Sequence, residues 1–187
     1  MEIILASASP RRREIMMLLG LEFEVIPASL EPEIDPALSP DCAVLSVARA
    51  KAEQVAALHP HSMVIGADTV VVVDGNILGK PESEKNAADM LRLLSGRSHT
   101  VYTGVWVCSS TGCNGFAEST EVSFCELSEQ DIADYIATGD PMDKAGAYGI
   151  QSYGLRFVQR IDGDFYNVMG LPACALWRHL QPFLAKE

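Results

Sequence analysis

Asp68 is chemically out of place in its surroundings. It interrupts the most strand-like run of the chain, from Val64 and Ile65 through Val70 to Val73. A run of that composition reads as a strand buried on both faces. A carboxylate within it needs a cation, hydrogen-bond donors or a shifted pKa, because a bare buried charge is costly. Cations occur at comparably odd places. Arg11, Arg12 and Arg13 follow Ser7, Ser9 and Pro10 near the N-terminus, Lys51 lies on an apolar helical stripe, and Lys80 follows a reversal at Asp74-Gly75-Asn76. Asp143 and Lys144 stand among glycines, and Glu31 lies in a proline-rich acidic stretch. Cations and carboxylates without a Cys/His nucleophile pair suit phosphate chemistry with a divalent metal. Arginine and lysine hold phosphate oxygens. Carboxylates hold Mg²⁺ or Mn²⁺, and one can orient or deprotonate an attacking water.

Each group also has a plainer reading. The arginines sit in the first turn of a helix, where they oppose its dipole. They form either a polyanion receptor, with two hydroxyls and free backbone N–H groups, or a solvated basic patch. Lys51 either snorkels to the edge of its apolar face or reaches a phosphate. Glu31 and Glu33 are metal or base candidates, and also ordinary loop carboxylates.

The elements that must position these groups follow from periodicity. Residues 2–6 form a short strand, and Ser9-Pro10 opens a helix whose stripe is Ile15, Leu18 and Leu19. Residues 22–26 suggest a second strand. Ser39-Pro40 opens a helix to about Leu58, with Val44, Val47, Ala48, Val55 and Leu58 inward. Glu84–Leu94 is a third helix. Residues 99–108 and 116–126 read as a hairpin with a loop over 109–115. Ser128 and Asp131 make a capping box for a helix with Ile132, Tyr135 and Ile136 inward. Residues 140–172 are glycine-rich loops around a short strand near 157–161, and a helix from Pro172 to about Leu184 follows. The alternation gives an α/β class: one domain over 1–187 with a long mixed twisted sheet, surrounding helices, two lobes and a central cleft.

Composition narrows the function classes. The formal net charge of −11 argues against nucleic acid or an anionic membrane as the main partner. The five cysteines are odd in number and form no C-x-x-C pair, so free thiols in a cytoplasmic compartment are expected, with Cys42, Cys108 and Cys174 in the core. There is no signal-peptide pattern and no membrane-length apolar run. No Walker loop and no dinucleotide fingerprint occurs.

Five motifs in order resemble the Maf family of septum formation proteins: Ser7-Ala8-Ser9-Pro10-Arg11-Arg12, Gly66-Ala67-Asp68-Thr69-Val70, Gly79-Lys80-Pro81, Asp143 through Gln151, and Gly170-Leu171-Pro172. The resemblance runs essentially end to end. It implies an inosine triphosphate pyrophosphatase-like fold, often dimeric. It also implies a metal-dependent nucleoside triphosphate pyrophosphatase that releases a monophosphate and pyrophosphate. Arg11, Thr69 and Gln151 match the branch acting on dTTP and UTP, and by resemblance these three shape substrate choice. The resemblance makes Asp68 the proton acceptor. It assigns phosphate binding to Ser7, Arg12, Lys51, Lys80 and Lys144, and metal binding to Glu31 and Asp68. The alternatives are a nucleotide-binding regulator of cell division without essential catalysis, and a nucleotidyltransferase, for which the glycine-rich loop is missing.

Overall fold

The computed structural model describes residues 1–30 and 32–184. Glu31, a metal candidate from the sequence, lies outside the described residues. The expected α/β architecture is present. A seven-stranded mixed sheet has the order β2-β1-β3-β5-β6-β7, with β4 paired to β3 outside that path. The strands are β1 (Ile3–Leu5), β2 (Glu24–Val25), β3 (Met63–Val73), β4 (Asn76–Leu78), β5 (Ser98–Ser109), β6 (Gly112–Phe124) and β7 (Val158–Asp162). The helices are α1 (Pro10–Leu18), α2 (Pro40–Ala56), α3 (Glu84–Leu94), α4 (Glu129–Ala137), α5 (Phe165–Met169) and α6 (Ala173–Leu184). No described helix is long and apolar enough to cross a membrane.

The chain forms two compact units. The first holds Met1–Asp68, Thr103–Glu118 and the described chain from Gly170 on; the second holds Thr69–Tyr102 and Ser119–Met169. In the first, β1 pairs in parallel with β2 and with β3, setting Leu5 opposite Ile65. Ile4, Ala6, Ala52, Val55, Val64 and Cys108 pack into one buried cluster. Glycine lets α2 lie close to the strands beneath it. A Cβ on Gly66 would stand 2.8 Å from Ala52 N, and one on Gly104 would stand 2.5 Å from Val44 C.

In the second unit, β3 turns into β4 through Asp74 and Gly75, both at positive φ (51° and 77°). Two consecutive positive-φ residues make the turn type that matches strand twist, and Asp-Gly is a favoured pair for it. Ser128 and Asp131 form the expected capping box on α4. The aromatic rings of Tyr135, Phe157, Phe124, Tyr148 and His99 pack in succession behind it, with centroids 4.7–6.0 Å apart.

Several expectations are corrected. On α1, Leu18 is exposed, and the buried face is Arg12, Ile15 and Met16, spaced i, i+3, i+4. Leu58 lies beyond the end of α2 and is exposed. The hairpin loop is much shorter than 109–115, because pairing with β5 carries the glycine-containing 112–115 stretch into β6; tertiary pairing overrides weak strand propensity. That hairpin sets the Cα atoms of Cys108 and Cys113 4.1 Å apart and joins their sulfurs in a disulfide, so these two are not free thiols. Cys42 and Cys174 are exposed, not core residues, and Cys125 is half-buried.

Candidate active site

The site can be built outward from β3. Its burial is nearly continuous from Met63 to Val73, relaxing over the consecutive pair Asp68 and Thr69 and again at Val72. Lys51 reaches this point from α2. Its Nζ donates to Asp68 Oδ1 at 2.9 Å, and the two side chains keep only 7% and 13% of their exposure. The close seat of α2 on Gly66, two residues before Asp68, makes that reach possible. Lys51 therefore supplies the cation that Asp68 was expected to need, and it does not snorkel to solvent.

The arginine turn divides by helical position. Arg13 is exposed and Arg11 half-buried, while Arg12 turns inward on the face of Ile15 and Met16. Arg12 Nε donates to Gly170 O at 2.8 Å, and its Nη1 donates to Ala67 O at 2.9 Å and Ser7 Oγ at 3.0 Å. Ser7 Oγ also accepts from Ser9 N at 3.3 Å. One guanidinium thus ties the turn of α1 and the Gly170-Leu171-Pro172 motif to the carbonyl just before Asp68. Ser7, Arg12, Lys51 and Asp68 are brought together within the first unit.

Thr69, Lys80, Lys144 and Gln151 belong to the second unit. Thr69 is half-buried and follows Asp68 directly, while Lys80 and Gln151 are exposed. Lys144 is buried within its own loop. Its Nζ donates to Asp140 O at 2.6 Å, Asp140 Oδ1 at 3.0 Å and Asp143 Oδ1 at 2.6 Å. Three acceptors match the three protons of an ammonium. Gly146 and Ala147, in the same loop, both have positive φ, 65° and 61°. Ala147 is fully buried, so its surroundings hold a conformation that a Cβ disfavours.

A polar cluster around Asp140 was not singled out from the sequence. Asp140 Oδ2 accepts from Tyr135 Oη at 2.7 Å and from Ser152 Oγ at 2.5 Å. Burial alone would raise the Asp140 pKa, but Ser152, Tyr135 and the Lys144 cation together hold it below the usual carboxylate range. Burial, followed by the hydrogen bond to Asp140, raises the Tyr135 pKa. The only hint in the sequence is the i, i+4 spacing of Asp140 and Lys144.

The donor chemistry bears on the metal. Among the described residues, no three His, Cys, Asp or Glu side chains converge as an ion cage. The hard carboxylate oxygens of Asp68 fit a small divalent cation that completes its shell with substrate phosphates and water, as Mg²⁺ commonly does.

The chain as a whole is similar to proteins that carry names. The chain is 53% identical over 171 residues to a dTTP/UTP pyrophosphatase of Geobacillus sp. (strain WCH70), covering 91% of this chain and 92% of that one. It is 49% identical to a dTTP/UTP pyrophosphatase of Bacillus mycoides (strain KBAB4), covering 97% and 95%. Its fold resembles that of a HAM1 protein from Coxiella burnetii, with a TM-score of 0.55 at 16% identity over 97% of this chain and 99% of that one. The model of the Maf-like proteins matches residues 2–183, and with that match over nearly its whole length the chain belongs to the Maf family.

Proposed function

We propose that this protein hydrolyses dTTP and UTP to the nucleoside monophosphate and pyrophosphate. The observation that carries this reading is the pairing of Asp68 on β3 with Lys51 of α2, in a chain about half identical to relatives bearing that activity in their names. Asp68 accepts a proton from the attacking water. The new P–O bond forms as the bond between the α- and β-phosphates breaks, and pyrophosphate leaves with the electron pair. Lys51 compensates the charge of Asp68 before substrate arrives.

Ser7, Arg12, Lys51, Lys80 and Lys144 are the groups proposed to meet the triphosphate. Lys80 is exposed. The other four already hold protein partners, so each would exchange or share them with phosphate oxygens. A Mg²⁺ or Mn²⁺ ion, when bound, offsets negative charge on the phosphates; Asp68 is the residue proposed to hold it. Arg11, Thr69 and Gln151 are proposed to select the pyrimidine. A site built for one base's hydrogen bonds leaves polar groups unpaired with another.

The chain is proposed to work as one Maf-like domain in the cytoplasm, on free nucleotides and not on nucleic acid or membrane, in keeping with its charge of −11. Light scattering checks the homodimer that the resemblance implies.

The deciding experiment measures kcat/KM for dTTP, UTP, CTP and GTP with and without chelator, and identifies the products. Monophosphate and pyrophosphate from UTP, at a rate that chelation suppresses, are expected. Equal kcat/KM for UTP and GTP would overturn the pyrimidine assignment. Unchanged turnover in Asp68→Asn would remove Asp68 as the proton acceptor.

A further inference from the structure

Gln151, the proposed base-reading residue, is exposed, yet its neighbours on both sides are held. Ile150 is only 6% exposed. Ser152 Oγ donates to Asp140 Oδ2 at 2.5 Å and lies 3.2 Å from Gly149 O. Gly149 N donates to Tyr135 Oη at 3.1 Å, and that hydroxyl in turn donates to Asp140 Oδ2 at 2.7 Å. The other carboxylate oxygen of Asp140 accepts from Lys144 at 3.0 Å. Every proton in this chain of contacts has an acceptor, which is the condition under which a partly buried polar network favours one arrangement.

The backbone leaves no slack around the network. A Cβ on Gly149 would stand 2.6 Å from Lys144 Cε, and one on Gly154 would stand 2.7 Å from Gly149 O. The 149–152 turn is therefore pressed against the lysine stem on one side and the next turn on the other. It cannot move without breaking bonds to Asp140 or Tyr135. A well-packed apolar substitute of similar volume commonly stabilises as much as a buried ionic cluster. What these bonds specify is the position of the turn.

The geometry points to Asp140, Tyr135 and Ser152 as positioning residues that hold the Gly149–Gln151 turn and so set the pyrimidine preference through Gln151. This rests on the reading of Gln151 given above. None of the three touches the substrate in this proposal; they act by where they place Gln151.

The test compares Ser152→Ala, Ser152→Thr and Tyr135→Phe with Gln151→Ala and the wild type. For each, kcat and KM are measured separately for UTP, dTTP, CTP and GTP, together with Tm. Ser152→Ala and Tyr135→Phe are expected to lower the UTP-over-GTP ratio of kcat/KM by about 5–30-fold, the weight of one or two hydrogen bonds. The loss should fall mainly on KM for pyrimidines. Ser152→Thr, which retains the hydroxyl, should keep the wild-type ratio. In the double variant Gln151→Ala/Ser152→Ala, the losses should not add.

The positioning role is overturned if Ser152→Ala and Tyr135→Phe weaken all four substrates equally, or change only Tm. If Gln151→Ala loses selectivity while those two keep it, the clamp fails and the reading of Gln151 stands. A wild type without any UTP-over-GTP preference overturns both.

Discussion

Lys51 Nζ and Asp68 Oδ1 lie 2.9 Å apart, with both side chains largely withdrawn from water. The pair joins α2 to the point on β3 where burial relaxes, so it links the stability of the first unit to the proposed chemistry. Lys51→Met leaves a largely buried carboxylate without its cation and should cost about 3–5 kcal/mol in urea denaturation. Adding Asp68→Asn to that variant should restore part of the loss, and a double-mutant cycle measures how much. Asp68→Asn alone should lower kcat for UTP by about 10²–10⁴-fold, the usual contribution of a general base.

Arg12 should behave as a brace. Lysine carries the same charge but lacks the planar fork that meets Gly170 O, Ala67 O and Ser7 Oγ together. Arg12→Lys is expected to destabilise by about 2–4 kcal/mol, because it leaves buried carbonyls unpaired. Its kcat for UTP should fall as well, since Ala67 immediately precedes Asp68. Full activity at an unchanged Tm would contradict this role.

Gly66 sets how closely α2 approaches β3. A methyl group there would meet Ala52 N at 2.8 Å and Ala52 Cβ at 2.9 Å, and the backbone of a packed helix cannot swing aside as a flexible side chain can. Gly66→Ala should cost about 1–3 kcal/mol or more and lower Tm by roughly 3–10 °C. The same displacement should draw Lys51 from Asp68, so activity and Tm should fall together.

His99 should make the protein acid-sensitive. Burial lowers its pKa from 6.5 to about 4. The ring is 3% exposed, and its Nε2 lies 2.7 Å from Tyr148 Oη. Between those two pH values the unfolded chain binds a proton at His99 that the folded chain does not. Stability contributed by the neutral ring is therefore full above pH 6.5 and is lost as pH falls toward 4, by at most about 3 kcal/mol. His99→Gln, which offers Tyr148 an amide and cannot titrate, should flatten the slope of unfolding free energy against pH in that window.

The sequence by itself determined the order of most elements and the identity of the anomaly, but not the short α5 (Phe165–Met169), which lies in the stretch expected to be loops around a strand. An apolar run with one carboxylate in it is a strand with a charge to compensate, whatever the rest of the chain does. Capping residues marked the start of α4, and the Asp-Gly pair marked the turn from β3 to β4, because these signals act over a few residues. The five motifs pointed to the family for the same reason: residue type and order are properties of the chain.

Only the tertiary structure decided which cation serves which acceptor. Arg11, Arg12 and Arg13 are alike in sequence, but successive helical positions differ by about 100°. Arg12 alone shares the buried face of Ile15 and Met16, and its acceptors come from residues 67 and 170. Lys51 found Asp68 because two helix-facing glycines admit α2 close to the strands. Cys108 met Cys113 because β5 and β6 paired up to a tight reversal. Asp140 became the hub of its cluster through Tyr135 and Ser152, one before and one after it in the chain. Each outcome depends on how the chain folds back on itself, over five residues at Cys108–Cys113 and Tyr135–Asp140 and over far more at Arg12–Gly170, which local periodicity does not record.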